Sequence, residues 1–418
     1  MGCTKMELNA EKIVSAQNLL GLVLAISVSV PILDSVSVGP AVIRQLDILF
    51  LLLGIYVVAH TQEYQFPNQS VKMLLPLIGI LIYGIIIIPF QQFSVSNSLV
   101  ELIQLVEIIL IFLTLYQILS DEVVDQILYT IFVITIVCSA LSIPYYLFTN
   151  NRFVGVWFIA GIPPFALFYG LSSYVDTRSW FAGIGVLLIT IRIVLARSRS
   201  VWLLLPVAGI LAIVIANRGS MSKEKVRTFS GISLAGLLTI LPIVAVLPDL
   251  RRRFVSVVSG SQGLFARPVR YLSGIQALEN YPFGVGLANY GVALQEMAKS
   301  DILAFPQWFR GIAGDWIIRR QLEKFRVGKG GPHSDLFKFL IETGLVGVSL
   351  FIMFWIMVLR SLMTGKEYRY RTAIQATIIY YGFQSMVNSI LLAGGGVTLI
   401  LFLCIDIYKS KRGLGYSS

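Results

Sequence analysis

Residues Gly330–Gly347 read GGPHSDLFKFLIETGLVG, and this stretch joins the longest polar segment of the chain to a long apolar run. The Gly-Gly-Pro triplet at its start interrupts any preceding helix. Ser334 or Asp335 is then placed to cap a new helix. From Leu336 onward the chain is mostly apolar, so the sequence predicts a membrane helix that begins at this junction.

His333 is one of only two histidines in the chain, and it lies at the mouth of this predicted helix beside a basic loop. The residues alone leave two interpretations open. Either His333 is a reaction centre, or it only hydrogen-bonds a loop carbonyl next to a capped helix. Glu342 is too far along the chain to share a helical turn with His333, which favours a structural role at a helix contact.

The composition is that of a protein with many membrane spans. The chain is 56% hydrophobic and 13% charged, and its mean hydropathy is +0.80. No soluble domain has this balance. Cys3, Cys138 and Cys404 lie far apart, so the sequence predicts no disulfide framework and no thiolate metal site.

Apolar runs of spanning length recur along the chain and predict an all-α polytopic membrane protein. About twelve helices are expected, of which the last is short. The predicted spans are Ala16–Leu33, Ala41–His60, Val71–Phe90, Leu99–Leu119, Val123–Phe148, Val154–Tyr174, Trp180–Ala196, Val201–Ala216, Phe229–Leu247, Leu336–Leu359, Thr372–Leu391 and Gly394–Ile407.

The basic loops predict the orientation in the membrane. Residues 217–228, residues 360–371 and the C-terminal tail are rich in lysine and arginine, which places them and both termini in the cytoplasm. We expect one integrated membrane domain with three parts. Residues 1–248 form an N-terminal transmembrane bundle, residues 249–332 a long extracytoplasmic helical loop, and residues 333–418 the C-terminal transmembrane helices.

Two basic features break this charge pattern on the outer side. Residues 249–332 hold twelve basic and six acidic side chains, which leaves a net charge of +6. Arg197 and Arg199 lie between the seventh and eighth predicted spans. Long loops translocate whatever their charge, so the topology stands, but the excess of bases indicates an anionic ligand.

The long outer loop has a helical pattern of its own. Arg267–Glu279 carries apolar residues at helical spacing, and the Gly-rich sequence YPFGVGLANYG follows as a turn rather than a dinucleotide site. Trp308, Ile312 and Trp316 then recur every fourth residue among basic residues. They predict a basic amphipathic helix on the membrane surface, or alternatively a helix packed on the tops of the spans.

The residues expected to meet on the outer face are Arg197, Arg199, Arg267, Arg270 and His333. Arginine presents a planar fork of donors that suits phosphate oxygens. No carboxylate, histidine or thiolate cluster with ligand spacing accompanies them. The sequence therefore predicts the handling of a phosphate-bearing substrate without a metal, a cofactor or a nucleic-acid partner.

Three motifs occur in a characteristic order between Arg197 and Arg360. Ser198-Arg199-Ser200 opens a middle span, and Arg267 is followed by Tyr271 and a Gly-x-Gly turn. His333 then precedes Glu342-x-Gly-x-x-Gly. This pattern resembles the bacterial O-antigen ligase and O-antigen polymerase superfamily.

The resemblance implies a membrane glycosyltransferase of the GT-C type. The donor would be a glycan on a polyprenyl pyrophosphate, and the acceptor another glycan or a lipid A-core sugar. The site would face the periplasm or exterior, on the outer side of the inner (cytoplasmic) membrane.

The resemblance also implies roles for single residues. His333 would take the acceptor proton, and Arg199 and Arg267 would contact the pyrophosphate, with Arg270 as the substitute for Arg267. The remaining substrate-binding residues would be Arg197, Tyr271 and Glu342.

Two other classes of protein compete with this interpretation. Charges inside spans are typical of transporters, such as a polysaccharide or lipid transporter, although the halves of the chain show no obvious repeat. A non-catalytic assembly protein would leave the arginines and the histidine without convergent geometry. Within the enzyme class, the sequence does not separate a ligase from a polymerase.

Overall fold

The computed structural model describes residues 68–90, 94–149, 162–195, 199–217, 263–297, 305–326, 334–365, 371–387 and 395–412. It also describes the short pieces 36–38 and 41–43 and the isolated residues Ala25, Gly54, Tyr368, Tyr370 and Leu391.

Nearly all of these residues are helical. In chain order the helices are α1 (Asn68–Ile87), α2 (Val95–Ile118), α3 (Asp121–Thr149), α4 (Ile162–Thr177), α5 (Trp180–Leu195), α6 (Arg199–Asn217), α7 (Gly263–Asn280), α8 (Tyr290–Met297), α9 (Gln307–Ala313), α10 (Asp315–Arg326), α11 (Asp335–Thr364), α12 (Arg371–Val387) and α13 (Gly395–Arg412). A short 3₁₀ turn, Ile88–Phe90, follows α1.

A small antiparallel hairpin departs from the expected all-α architecture. Strand β1 (Val36–Val38) pairs with β2 (Ala41–Ile43), and Val36 lies opposite Ile43. Strand β2 occupies the first residues of the predicted second span, so that span does not begin at Ala41. The β-branched residues of both strands favour this extended conformation.

Four described helices are long and apolar enough to cross a membrane, namely Lys72–Phe90, Val95–Ile118, Asp121–Tyr145 and Asp335–Thr364. Trp180–Leu195 and Leu204–Ile215 are shorter apolar helices. The chain is therefore a multi-pass helical membrane protein. The predicted span Phe229–Leu247 and most of the spans Ala16–Leu33 and Ala41–His60 lie outside the described residues. The number of twelve spans stays a prediction.

Each long helix divides its apolar residues between the protein core and an outer surface. On α1, Leu77 and Ile80 are buried, whereas Ile82 and Ile86 are more than half exposed. An exposed apolar face of this size suits lipid rather than water. Helix α11 packs on α1, α12 packs on α6 and α4, and α13 packs on α2, so that the helices enclose one core.

Helices α7 to α10 form a second, smaller core that docks on α11. Val269, Leu294, Phe309 and Ile318 are buried together, and Ile341 of α11 belongs to the same cluster. The prediction that this loop is helical is confirmed for the described residues. The prediction that the Trp308–Trp316 stripe forms one helix is wrong, because the chain breaks between α9 and α10.

The break lies at Gly314, whose backbone has φ 78° and ψ 135°. Arg310 closes the break by donating from Nε and Nη2 to the two carboxylate oxygens of Asp315, both at 3.0 Å. This bidentate contact holds the pKa of Asp315 below its ordinary value. Trp308 and Trp316 are 63% and 55% exposed.

Candidate active site

The N-terminus of α11 is fixed by one cap and one long-range hydrogen bond. The Ser334 hydroxyl accepts a hydrogen bond from the Phe337 amide at 3.4 Å, so Ser334 is the N-cap. The sequence leaves Ser334 and Asp335 as the two candidates for this cap. Asp335 is buried, and its Oδ2 accepts from the Leu391 amide at 3.0 Å. The segment just before α13 is thereby tied to the start of α11, next in sequence to His333.

The residues Tyr281–Asn289, here called the Gly-rich turn, cross α11 at a kink. The kink is at Gly344, which has φ 62° and ψ −157°. The Val285 and Gly286 amides donate to the Ile341 and Glu342 carbonyls at 3.0 and 2.9 Å. The turn therefore supplies backbone donors to two carbonyls of α11 just before the kink.

Glycine is required where the turn meets the helix. A Cβ on Gly284 would collide with the Glu342 carbonyl, and a Cβ on Gly344 would collide with the Pro282 carbonyl. Both residues also have positive φ, 91° and 62°. Here the two backbones approach more closely than any side chain allows.

A buried group of three charges lies beneath the turn. Lys338 Nζ donates to Glu101 Oε1 and Oε2 at 2.5 and 2.6 Å, and to Glu342 Oε2 at 2.5 Å. The side chains of Lys338, Glu101 and Glu342 are 6%, 14% and 1% exposed. We call these three residues the Glu-Lys-Glu cluster; it links α2 to α11 inside the protein.

The carboxylates of the Glu-Lys-Glu cluster also hold the Gly-rich turn and its exit. The Ala288 amide donates to Glu101 Oε2 at 3.0 Å, and the Tyr290 amide donates to Glu342 Oε1 at 3.3 Å. Buried carboxylates are costly without a countercharge and donors. One lysine serves both acids here, and backbone N–H groups supply further hydrogen bonds.

Neutral hydrogen bonds add further contacts between the turn and the first helices. Ser98 donates to the Leu287 carbonyl at 2.8 Å, and Asn289 donates to Ser98 Oγ at 3.3 Å. Tyr83 on α1 donates to the Phe283 carbonyl at 3.0 Å. The turn is thus held by α1, α2 and α11 together.

The structure places the sequence-predicted residues unevenly. Tyr271 stacks on Phe337, with ring centroids 4.0 Å apart and an interplanar angle of 10°, which joins α7 to the first turn of α11. Glu342 lies in the Glu-Lys-Glu cluster, and its assignment to substrate binding stays a prediction.

The other sequence-predicted residues are described in part or not at all. Arg199 begins α6, and Arg267 and Arg270 lie on α7, but these three side chains lie outside the described set. Arg197 and His333 also lie outside the described residues. The convergence of the arginines on His333 therefore stays a prediction.

Lys338 is the site residue that sequence reasoning missed. Its signal was present, because Lys338 and Glu342 are one helical turn apart in an otherwise apolar helix. Among the described residues, no group of three or more histidine, cysteine, aspartate or glutamate side chains is arranged to hold a metal ion. Glu101 and Glu342 instead share a lysine.

Comparison with known families places these residues in context. Residues 184–352 match a family described as O-antigen ligase. The matched region runs from α5 into α11 and includes every sequence-predicted site residue, together with Lys338. No curated protein matches the chain. The family match confirms, over residues 184–352, the resemblance to the O-antigen ligase and polymerase superfamily that the motifs indicate.

Proposed function

We propose that this protein is a membrane glycosyltransferase that moves a glycan from a polyprenyl-pyrophosphate donor to a glycan or lipid A-core acceptor. The observation that carries the proposal is the O-antigen ligase match over residues 184–352. All three motifs lie inside it in the expected order, so the match and the residue chemistry support the same function.

The chemistry assigns a task to each predicted residue. The acceptor hydroxyl oxygen attacks the anomeric carbon, and the bond from that carbon to the pyrophosphate oxygen breaks with its electron pair. His333 takes the proton of the acceptor hydroxyl. Arg199 and Arg267 stabilise the negative charge that grows on the departing pyrophosphate, and Arg270 takes this role if Arg267 faces away.

The proposed site opens on the outer side of the inner membrane. The net charge of +6 in residues 249–332 supports this side, because an anionic donor gives a reason for bases that run against the positive-inside trend. Helices α7 to α10 of this loop dock on α11 through a buried core. This contact would hold α7, with Arg267 and Arg270, near His333 at the N-terminal end of α11. A GT-C architecture and a metal-independent reaction belong to the same proposal.

Reconstituted protein tests the function directly. Purified protein in lipid vesicles, given a polyprenyl-pyrophosphate glycan and an acceptor, should release polyprenyl pyrophosphate and extend the acceptor. His333→Ala should abolish transfer while expression and membrane insertion stay near normal. The matched control is His60→Ala, at the only other histidine of the chain. Parental transfer by His333→Ala would reduce that residue to a structural role.

Two further measurements separate the alternatives. Complementation of ligase-null and polymerase-null strains, scored by the lipopolysaccharide ladder, distinguishes the two enzyme reactions. A transporter would move the lipid-linked glycan across the vesicle membrane and leave its glycosidic bond intact. Translocation without bond cleavage would therefore refute the proposed transferase.

A further inference from the structure

We infer that Lys338 is a positioning residue of this transferase. By bridging Glu101 and Glu342, it fixes the Gly-rich turn on α11. The turn thereby holds α7, which carries the predicted arginines, beside His333. The inference rests on the proposed function. It concerns a residue to which neither the motifs nor the family match gives a role.

The first step is the geometry of the bridge. Lys338 Nζ lies 2.5 Å from an oxygen of Glu101 and 2.5 Å from an oxygen of Glu342. Two carboxylates are therefore brought within about 5 Å of each other, a separation at which like charges repel strongly in a buried site. The lysine keeps them together, and its loss leaves two buried acids with no cation in the cluster.

The second step is what the carboxylates hold. Each accepts from one backbone amide, Glu101 from Ala288 and Glu342 from Tyr290. Ala288 has φ 58°, a left-handed conformation that a residue with a Cβ adopts only when its surroundings impose it. The carboxylate of Glu101 is among the contacts that impose this conformation, and Lys338 in turn holds that carboxylate.

The third step connects the turn to the predicted chemistry. The turn follows directly from α7, which carries Arg267 and Arg270. Phe337, next to Lys338, stacks on Tyr271 of the same helix. Lys338 thus lies in the first turn of α11, next in sequence to the residue that contacts α7, and His333 precedes the Ser334 cap of the same helix. A shift of the turn would change the distance between the groups that receive the leaving pyrophosphate and the group that takes the proton.

The test must separate positioning from simple stability. Lys338→Met should lower both the unfolding temperature and the turnover number, because it leaves two uncompensated buried charges. The double variant Lys338→Met/Glu101→Gln removes one of these charges at a residue outside the predicted binding set, so it should regain part of the unfolding temperature that Lys338→Met loses. Its turnover should stay about 10–10²-fold low with the donor KM within about threefold, because the bridge is still missing.

A second lysine bridge, with more exposed carboxylates, provides a control. Lys409 also bridges two carboxylates, at 2.8 Å from Asp121 and 3.4 Å from Asp125, far from the Gly-rich turn in the sequence. Lys409→Met should leave turnover at the parental value. Hydrogen exchange of the amides in residues 281–290 should quicken in both Lys338 variants and stay unchanged in Lys409→Met.

The outcomes are distinct. A double variant that regains parental turnover together with its stability, or unchanged amide exchange in Lys338→Met, would overturn the positioning role and leave the transferase standing. A parent that never transfers glycan would instead refute the proposed function.

Discussion

Replacing Gly344 by alanine should be one of the most damaging single-methyl changes in this protein. The backbone of Gly344, with φ 62° and ψ −157°, lies in a region that is essentially reserved for glycine, and forcing alanine into it costs about 1–3 kcal/mol. The new Cβ would also lie 2.7 Å from the Phe283 carbonyl carbon, and backbone atoms have no rotamer by which to move aside.

The collision adds the loss of hydrogen bonds to the backbone strain. If the Gly-rich turn moves away, the bonds from Val285 to Ile341 and from Gly286 to Glu342 are lost, each worth about 0.5–1.5 kcal/mol. The expected total is about 2–6 kcal/mol in the free energy of unfolding. Denaturant titration in mixed micelles measures this quantity, provided that the slope with denaturant is unchanged.

Two other glycines separate the causes. Gly314 has φ 78° but open space around its Cβ position, so Gly314→Ala reports backbone strain alone, about 1–3 kcal/mol. Gly311 lies in α9 with open space and no positive φ, so Gly311→Ala should be neutral or stabilise by up to about 1 kcal/mol. If Gly344→Ala destabilises no more than Gly314→Ala, the close approach of the turn to α11 is not what requires glycine there.

Three further predictions concern the proposed chemistry and topology. Arg199→Ala and Arg267→Ala should each lower turnover by about 10²–10³-fold, and Arg199→Lys and Arg267→Lys should recover only part of the lost turnover. Parental turnover in all four variants would assign these arginines to the membrane surface. Turnover should survive a strong chelator, and activity lost to the chelator and restored by magnesium or manganese would contradict the metal-independent reaction. In a background without the natural cysteines, Gln262→Cys should react with an impermeant thiol reagent added to intact cells, and Ser410→Cys only after permeabilisation. Labelling of both cysteines from the same side would refute the predicted orientation, with residues 249–332 outside and the C-terminus in the cytoplasm.

Local signals predicted particular features of the described helices. The Ser334 cap follows from a hydroxyl placed just before an apolar run, and α7 follows from apolar residues at helical spacing. The break at Gly314 was missed because the stripe of Trp308, Ile312 and Trp316 continues smoothly through it. A single glycine inside such a stripe is compatible with a continuous helix, and the ion pair between Arg310 and Asp315 that closes the break is visible only once the chain has turned.

The Glu-Lys-Glu cluster shows where sequence reasoning stops. Glu101 and Lys338 are 237 positions apart, and α2 carries a second acid, Glu107, that is an equal candidate for a buried lysine. The choice depends on how α2 is rotated about its axis. Ser98 lies three residues before Glu101 and therefore on the same face, and its hydrogen bond to Leu287 turns that face toward the Gly-rich turn. The partner of Lys338 thus depends on how α2 packs against the rest of the protein, including the contact of Ser98 with a backbone carbonyl, which charge and periodicity do not reveal.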